Sequence, residues 1–302
     1  ARALVRRAEA AEKDLSGRAR LRELEEAILV AEAQQLDLAK TRELVGRGPA
    51  GAEAAREGAG PPLSEEEAAA VDSALGPGHG GQQLAQRQFR SGFGEQVVTR
   101  KDLQTLRCGG WLNDEVVNFT LGLMQERAWA EGGGAPKVHF FTSFFYAKLY
   151  GDAREYNYKG VQRWTTTKRL GGYSVLDCDK AVVPINQGNS HWVLTVLDLR
   201  RQQVEHYDSM GGVDSSSVAN MKRWLRDEAQ HKQQREMDTE AWEEVAPRAS
   251  VPQQGNGCDC GMFMLTFADR CARGAPFDFS QDDMPDIRRR CASNILAHSD
   301  AF

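Results

Sequence analysis

Gln253-Gln254-Gly255-Asn256-Gly257-Cys258-Asp259-Cys260-Gly261 runs directly into Met262-Phe263-Met264-Leu265-Thr266-Phe267-Ala268-Asp269-Arg270-Cys271. Glycines and polar residues give way at Cys260 to a segment in which Phe263, Met264, Phe267 and Cys271 recur at the spacings of a helix with a buried face. A buried helix is therefore predicted to start at Cys260. The free N–H groups and positive dipole end of a helix favour thiolate over thiol, and a neighbouring imidazolium adds to this, bringing such cysteines to pKa values of roughly 3.5–7.5. The flanking glycines leave room for a substrate backbone to approach.

A thiolate nucleophile needs a base. Of six histidines, His191 is the best placed, because it opens a predicted strand beside Trp192. His206 is a rival by composition. It shares a strand with Tyr207 and Asp208, however, so alternation puts His206 and Asp208 on one face while the neighbouring strand offers His191 as the partner of Asp208. Asp208 would then orient and stabilise the imidazolium. The backbone N–H of Cys260 and the side-chain amide of Gln254 would supply donors to an oxyanion. Taken singly, a histidine on a strand or a cysteine in an apolar helix is more often a core residue than a catalyst. The combination carries the reading.

Around this segment, Ala181 to Ile185, His191 to Leu199 and Gln203 to Tyr207 are dense in Val, Ile, Leu, Trp or Tyr and are predicted as three strands. Ser64 ahead of Glu65, Glu66 and Glu67 predicts a capped helix running to about Leu75. Val116, Val117, Phe119, Leu121 and Met124 predict a second helix from about Asn113. It ends before Gly132-Gly133-Gly134, in a stretch from Glu131 to Pro136 that reads as a surface loop. Strands flanked by helices before and after give an α+β class.

Upstream, residues 1–46 are rich in Ala, Leu, Glu, Arg and Gln, and a long helix is predicted there. Leu24, Ala31, Leu38 and Val45 keep a seven-residue repeat, but the row of Leu21 and Ile28 continues into Gln35 and Arg42. A solvated tethering helix is thus favoured over a coiled-coil dimer. Residues 47–62 have the Gly, Ala and Pro composition of a flexible linker, which leaves 63–302 as the main domain.

At 302 residues, 41% hydrophobic and 27% charged, the chain can bury a sizeable core. A net charge of −5 without a dominant basic stripe argues against binding nucleic acid by phosphate neutralisation, and Arg288 to Arg290 read as a solvated helix face. No apolar run approaches the roughly 20 residues that span a bilayer, and no secretory pattern opens the chain, which begins at Ala1 and leaves room for upstream sequence. Six cysteines are too few and too scattered for a disulfide scaffold, so a reducing compartment is expected.

From about Leu63 onward the chain resembles the SUMO-specific cysteine proteases, the ubiquitin-like-protein protease or sentrin-specific protease family. The matching words are Trp111-Leu112-Asn113-Asp114-Glu115-Val116-Val117-Asn118-Phe119, Phe144-Phe145-Tyr146-Ala147-Lys148-Leu149, Arg163-Trp164-Thr165, Val183-Pro184-Ile185, His191-Trp192, Tyr207-Asp208-Ser209-Met210-Gly211-Gly212 and the run from Pro252 to Phe263. The resemblance implies a papain-like cysteine protease fold, with a central mixed β-sheet flanked by helices and the nucleophile at the N-terminus of a buried helix. It makes His191, Asp208 and Cys260 the triad and Gln254 the oxyanion residue. Trp111 and Trp192 become the walls of a tunnel for a diglycine tail, with Asp114, Gly257 and Trp164 as further substrate contacts. Two facing indoles would admit glycine and clash with any Cβ.

The activity so implied is hydrolysis after the C-terminal Gly-Gly of SUMO, in precursors or in isopeptide conjugates. The expected partners are SUMO precursor and SUMO-conjugated proteins, with no nucleic acid, no membrane, no metal and no organic cofactor. The expected location is the nucleus, with the cytoplasm as a second site. Cys258 departs from the residue expected before Asp259-Cys260-Gly261, and the Glu131 to Pro136 stretch reads as an insertion.

Three other readings compete. A zinc module is disfavoured because Cys258 and Cys260 are only two apart and no second Cys or His pair has ligand spacing. A catalytically silent binding module for a ubiquitin-like protein is disfavoured because all four chemical positions are filled. Proteases of other ubiquitin-like modifiers, or acyltransferases with the same Cys–His pair, fit Arg163-Trp164-Thr165 less well.

Overall fold

The computed structural model describes residues 60–130, 137–151, 155–212, 214–247 and 251–298. The helix expected over 1–46, most of the linker over 47–62 and the Glu131 to Pro136 loop lie outside the described residues. The described residues up to Gly255 and from Asp259 form one compact unit, while the tripeptide Asn256–Cys258 is assigned to a second.

The main unit opens with α1 (Glu65–Leu75). Ser64 Oγ accepts from the Glu67 N–H at 3.2 Å and the Glu67 carboxylate accepts from the Ser64 N–H at 2.8 Å, a reciprocal cap that satisfies two otherwise orphaned donors. An antiparallel hairpin follows, β1 (Gln83–Phe89) with β2 (Gly94–Thr99). The sequence reading missed this hairpin, because Gln-rich β1 lacks the β-branched density that marks strands. Next come α2 (Asp114–Ala130), the short β3 (Val138–Phe140) and α3 (Phe144–Leu149).

The three predicted strands form as β4 (Lys180–Gln187), β5 (His191–Asp198) and β6 (Gln203–Tyr207). They pair antiparallel in sequence order, while β3 joins β4 in parallel and β7 (Glu243–Val245) joins β6 in parallel, giving a mixed five-stranded sheet. Between β6 and β7 lies α4 (Ser215–Gln233); α5 (Cys260–Arg273) and α6 (Met284–Ala297) complete the chain.

Both faces of the sheet are covered, which is why β4 and β5 read as near-continuous apolar runs. On one face Val182, Trp192, Leu194, Val196 and Tyr207 belong to the same core as Phe119, Phe263 and Phe267 of α2 and α5. On the other, Val183, Ile185, Val193, Leu197 and Val204 belong with Phe145 of α3 and Trp224 of α4. The predicted helix at Cys260 is buried along its length from Cys260 to Ala272. Its charged residues Asp269 and Arg270 are paired at 3.0 Å, as buried charges must be.

The Arg288 to Arg290 segment corrects the expectation of a solvated face: Arg288 is 1% and Arg290 7% exposed. A helix that packs on three others, α1, α2 and α5, has little solvated surface. Arg288 is tolerated inside because its guanidinium is fully engaged, as the site makes plain.

Candidate active site

Antiparallel pairing puts the start of β5 and the end of β6 at the same end of the sheet, and there His191 meets Asp208. His191 Nε2 donates to Asp208 Oδ1 at 2.7 Å. The register sets Tyr207 opposite Leu194, so Asp208 reaches His191 from just past the strand end rather than from directly across it.

The carboxylate is gripped from its own turn. Oδ1 also accepts from the Met210 N–H at 2.8 Å and Oδ2 from the Gly212 N–H at 3.0 Å. Gly211 takes φ +74°, and a Cβ at Gly212 would stand 2.2 Å from Asp208 Oδ2. Both glycines are therefore demanded by the grip. Burial works against the Asp208 anion, but the His191 and Met210 bonds and the charge of the nearby imidazoles hold its pKa below the usual carboxylate range.

With Nε2 committed to Asp208, Nδ1 is the ring nitrogen left for a thiol. It is buried without a hydrogen bond of ordinary geometry, and the Cys260 side chain is close enough to act on the ring. In a resting cysteine–histidine pair such contacts are often long. Burial lowers the pKa of His191, but the bonds and charge contributed by Asp208 and Cys260 outweigh it and push the imidazole up to about 9.

His206 is excluded as the base by its setting. Its Nδ1 lies 3.3 Å from Thr195 Oγ1 and 3.4 Å from Ser217 Oγ. Burial holds its pKa down, and it makes no bond to Asp208 among those of the described residues.

Cys260 is the first residue of α5 and 3% exposed. The residue before it, Asp259, sits at the N-cap yet makes no capping bond with its side chain. That carboxylate instead accepts from Arg288 Nε at 2.7 Å and from Gln281 Nε2 at 2.7 Å. Arg288 further donates to the carbonyls of Thr105, Arg107 and Gly110 at 3.1, 3.2 and 2.8 Å. One guanidinium thus ties the start of the cysteine helix to the chain that leads into Trp111. Gln281 Oε1 also accepts from the Gly255 N–H at 2.7 Å.

Gly261 serves packing rather than substrate approach, because a Cβ there would meet the Leu112 side chain at 3.0 Å. Leu112 in turn accepts from Trp192 Nε1 at 3.1 Å through its carbonyl. Trp192 is 5% exposed and Trp111 half-buried. The two indoles are joined through Leu112 and form no ring pair with each other among the described residues, since Trp192 is turned into the core.

Gln254 is bound twice to Ser209. Its N–H donates to the Ser209 carbonyl at 2.9 Å, and its Oε1 accepts from the Ser209 hydroxyl at 2.5 Å. Asp114 Oδ1 accepts from Ser143 Oγ at 2.6 Å, at the start of α2. Trp164 lies apart from the triad. It borders a narrow cleft with Ser91, His139 and Arg169, and the Arg169 guanidinium sits 5.4 Å from its ring centroid. Gly257 lies in the tripeptide Asn256–Cys258, where the Cys258 N–H donates to Asn256 Oδ1 at 3.2 Å.

Ser209, Gly212, Gln281 and Arg288 belong to this arrangement and were given no site role by the sequence reading. The double glycine after Asp208 was a usable signal for a tight turn. Gln281 and Arg288 carry no local signal, because their partners are distant in the chain. Among the described residues no group of three or more His, Cys, Asp or Glu is placed to hold a metal ion, and no helix is long and apolar enough to cross a membrane.

A nucleophile at a helix start, an imidazole bound to a carboxylate and a nearby glutamine constitute the equipment of thiol-based acyl transfer. The family model for the Ulp1 protease family, C-terminal catalytic domain, matches residues 110–301. Ubiquitin-like-specific protease ESD4 of Arabidopsis thaliana is 42% identical over 199 residues, covering 66% of this chain and 40% of its own. Putative ubiquitin-like-specific protease 1B of the same plant is 42% identical over 238 residues, covering 78% and 67%. The chain therefore spans about two fifths of the length of ESD4. Among solved structures, the C-terminal Ulp1 protease domain in complex with Smt3, the yeast ortholog of SUMO, superposes with a TM-score of 0.63 at 28% identity, covering 78% of this chain and 96% of that one. That likeness, together with the mixed sheet and its flanking helices, gives the expected α+β, papain-like fold. On its sequence match and its fold alike, this chain belongs to the Ulp1 protease family through that family's C-terminal catalytic domain.

Proposed function

We propose that the chain is a cysteine-dependent SUMO protease, hydrolysing the peptide or isopeptide bond after the C-terminal Gly-Gly of SUMO. The observation that carries the reading is the His191–Asp208 bond of 2.7 Å beside Cys260, in a chain of this family.

In this reading His191 takes the Cys260 thiol proton, the resulting thiolate attacks the carbonyl carbon of the last glycine, and the carbonyl electron pair moves onto oxygen. The Cys260 backbone N–H and the Gln254 amide receive that oxyanion. Collapse breaks the C–N bond, and His191 gives its proton to the departing amine, leaving a thioester. His191, now neutral, takes a proton from water as the water attacks the thioester, which frees the modifier and regenerates the pair. Asp208 holds the ring and supports its cation throughout. Trp111 and Trp192 would flank the diglycine tail, with Asp114, Gly257 and Trp164 as further substrate contacts. SUMO precursor and SUMO conjugates would be the partners, and the nucleus the place of action.

The test uses probes carrying a C-terminal electrophile built on SUMO, on ubiquitin and on another ubiquitin-like modifier. Labelling of Cys260 by the SUMO probe, lost in Cys260→Ser, is expected. Preference for another modifier's probe would move the chain to that modifier, and binding of SUMO without labelling would mark a silent binding module.

A further inference from the structure

We propose that Ser209 is a positioning residue that fixes which end of the Gln254 amide faces the reacting carbonyl. The inference rests on the protease reading, since it concerns the oxyanion donor of that reaction.

Ser209 is 2% exposed and directly follows Asp208. It holds Gln254 at two points: its carbonyl takes the Gln254 backbone N–H at 2.9 Å, and its hydroxyl donates to Gln254 Oε1 at 2.5 Å. The first bond fixes the backbone of Gln254 and the second fixes its side chain. One turn of chain, Asp208-Ser209, thereby sets both the imidazole and the amide.

Polarity is the reason this matters. A side-chain amide has a donor end and an acceptor end of nearly equal size. Turned one way it stabilises an oxyanion; turned the other it presents a carbonyl oxygen and repels it. The atom facing the Ser209 hydroxyl is Oε1, which carries no hydrogen and can only accept. Oε1 is thus the end held by Ser209, and Nε2 is turned to the opposite side. The chain after Gln254 is pinned as well, by the Gly255 N–H to Gln281 bond of 2.7 Å, so the amide cannot shift as a whole to compensate.

The experiment compares the unmutated full chain with Ser209→Ala, Ser209→Thr, Gln254→Ala and the Ser209→Ala/Gln254→Ala double variant on SUMO ending in a fluorogenic C-terminal amide. Removing an oxyanion donor altogether costs about 10²–10³ in kcat, so loosening one is expected to cost ~10-fold. KM should stay within about twofold, because the loss falls on the transition state. Ser209→Thr keeps the hydroxyl and should recover most of the rate. Alkylation of Cys260 by iodoacetamide passes through no oxyanion and should be unchanged in Ser209→Ala. The double variant should be no slower than Gln254→Ala.

An equal fold-loss from Ser209→Ala in the presence and absence of Gln254, or no loss at all, overturns the proposal. A readout without substrate separates it from the protease reading. The ¹⁵N order parameter of the Gln254 side-chain amide should fall in Ser209→Ala and return in Ser209→Thr. An unchanged order parameter overturns the clamp even in a chain that turns over no SUMO substrate.

Discussion

Arg288 Nε donates to Asp259 Oδ1 at 2.7 Å, so a residue of the last helix holds the position immediately ahead of Cys260. Both side chains are nearly inaccessible, at 2% and 6%. A buried ion pair of this kind is weak evidence for stability but strong evidence for specified geometry, because its desolvation is repaid only when every donor finds an acceptor. Arg288 meets that condition through Asp259 and three backbone carbonyls. The result is a fixed distance between the start of α5 and the segment carrying Trp111.

Arg288→Met leaves Asp259 buried without its counter-charge, and breaking a buried pair costs about 3–5 kcal/mol. The urea midpoint should fall accordingly with the m-value unchanged. Arg288→Lys keeps the charge but cannot serve four acceptors from one ammonium, so it should recover only part of the loss. A midpoint equal to that of the unmutated chain would show the pair to be incidental.

Gly212→Ala should mimic loss of Asp208. Its Cβ would stand 2.2 Å from Asp208 Oδ2, so the carboxylate or its turn must move and the His191 bond must lengthen. Loss of the orienting acid in a comparable triad lowers kcat by about 10⁴, and Gly212→Ala should lie between that and the unmutated rate. Rates for Gly212→Ala and Asp208→Asn measured side by side check this. Full activity in Gly212→Ala would place the turn outside the catalytic machinery.

The pH dependence follows from the same bond. His191 rises from 6.5 to about 9 on folding. Its contribution to stability is therefore complete below about 6.5 and is lost as pH climbs through about 9. Asp208 is shifted the other way, below its ordinary 3.8. Its contribution is present above 3.8 and is lost as pH falls through its lower native value. The alkaline limb of kcat/KM, which reports the free enzyme, should thus lie near 9 and move down toward 6.5 in Asp208→Asn. An alkaline limb that ignores Asp208→Asn would detach the two residues.

Much of this was legible in the sequence because the signals were local. Strands β4, β5 and β6, the Ser64 cap and the helix at Cys260 were each written in short runs of spacing and residue type, and they bring His191, Asp208 and Cys260 together. What escaped were features specified by tertiary contact. Arg288 looked like a solvated cation because its acceptors, Asp259 and the carbonyls of residues 105, 107 and 110, are far away in the chain. Gly261 looked like substrate clearance because the Leu112 side chain that crowds it belongs to another segment.

The tail-binding proposal turns on how rigid the wall at Trp192 is. Its indole donates to the Leu112 carbonyl at 3.1 Å, and the Leu112 side chain would lie 3.0 Å from a Cβ at Gly261, the residue after the nucleophile. Trp192, Leu112 and the start of α5 therefore form one packed layer, in which an added methyl on a bound tail has no cheap displacement. Overpacking of such layers typically costs about 1–3 kcal/mol, which predicts a roughly 5- to 150-fold loss on SUMO precursors whose final or penultimate glycine is alanine. On the proposed binding mode, with the folded body of the modifier outside the tunnel, the loss should fall mainly on kcat. Trp192→Phe keeps an aromatic wall but deletes the bond to Leu112, so the layer loosens and discrimination between glycine and alanine tails should narrow. Trp192→Ala should narrow it further while also slowing the diglycine substrate, because the tail loses the surface that holds its carbonyl near Cys260. The measurement is kcat/KM for both tails against all three proteins. Equal rates on both tails with the unmutated chain would remove the tunnel and return the acyltransferase reading to contention.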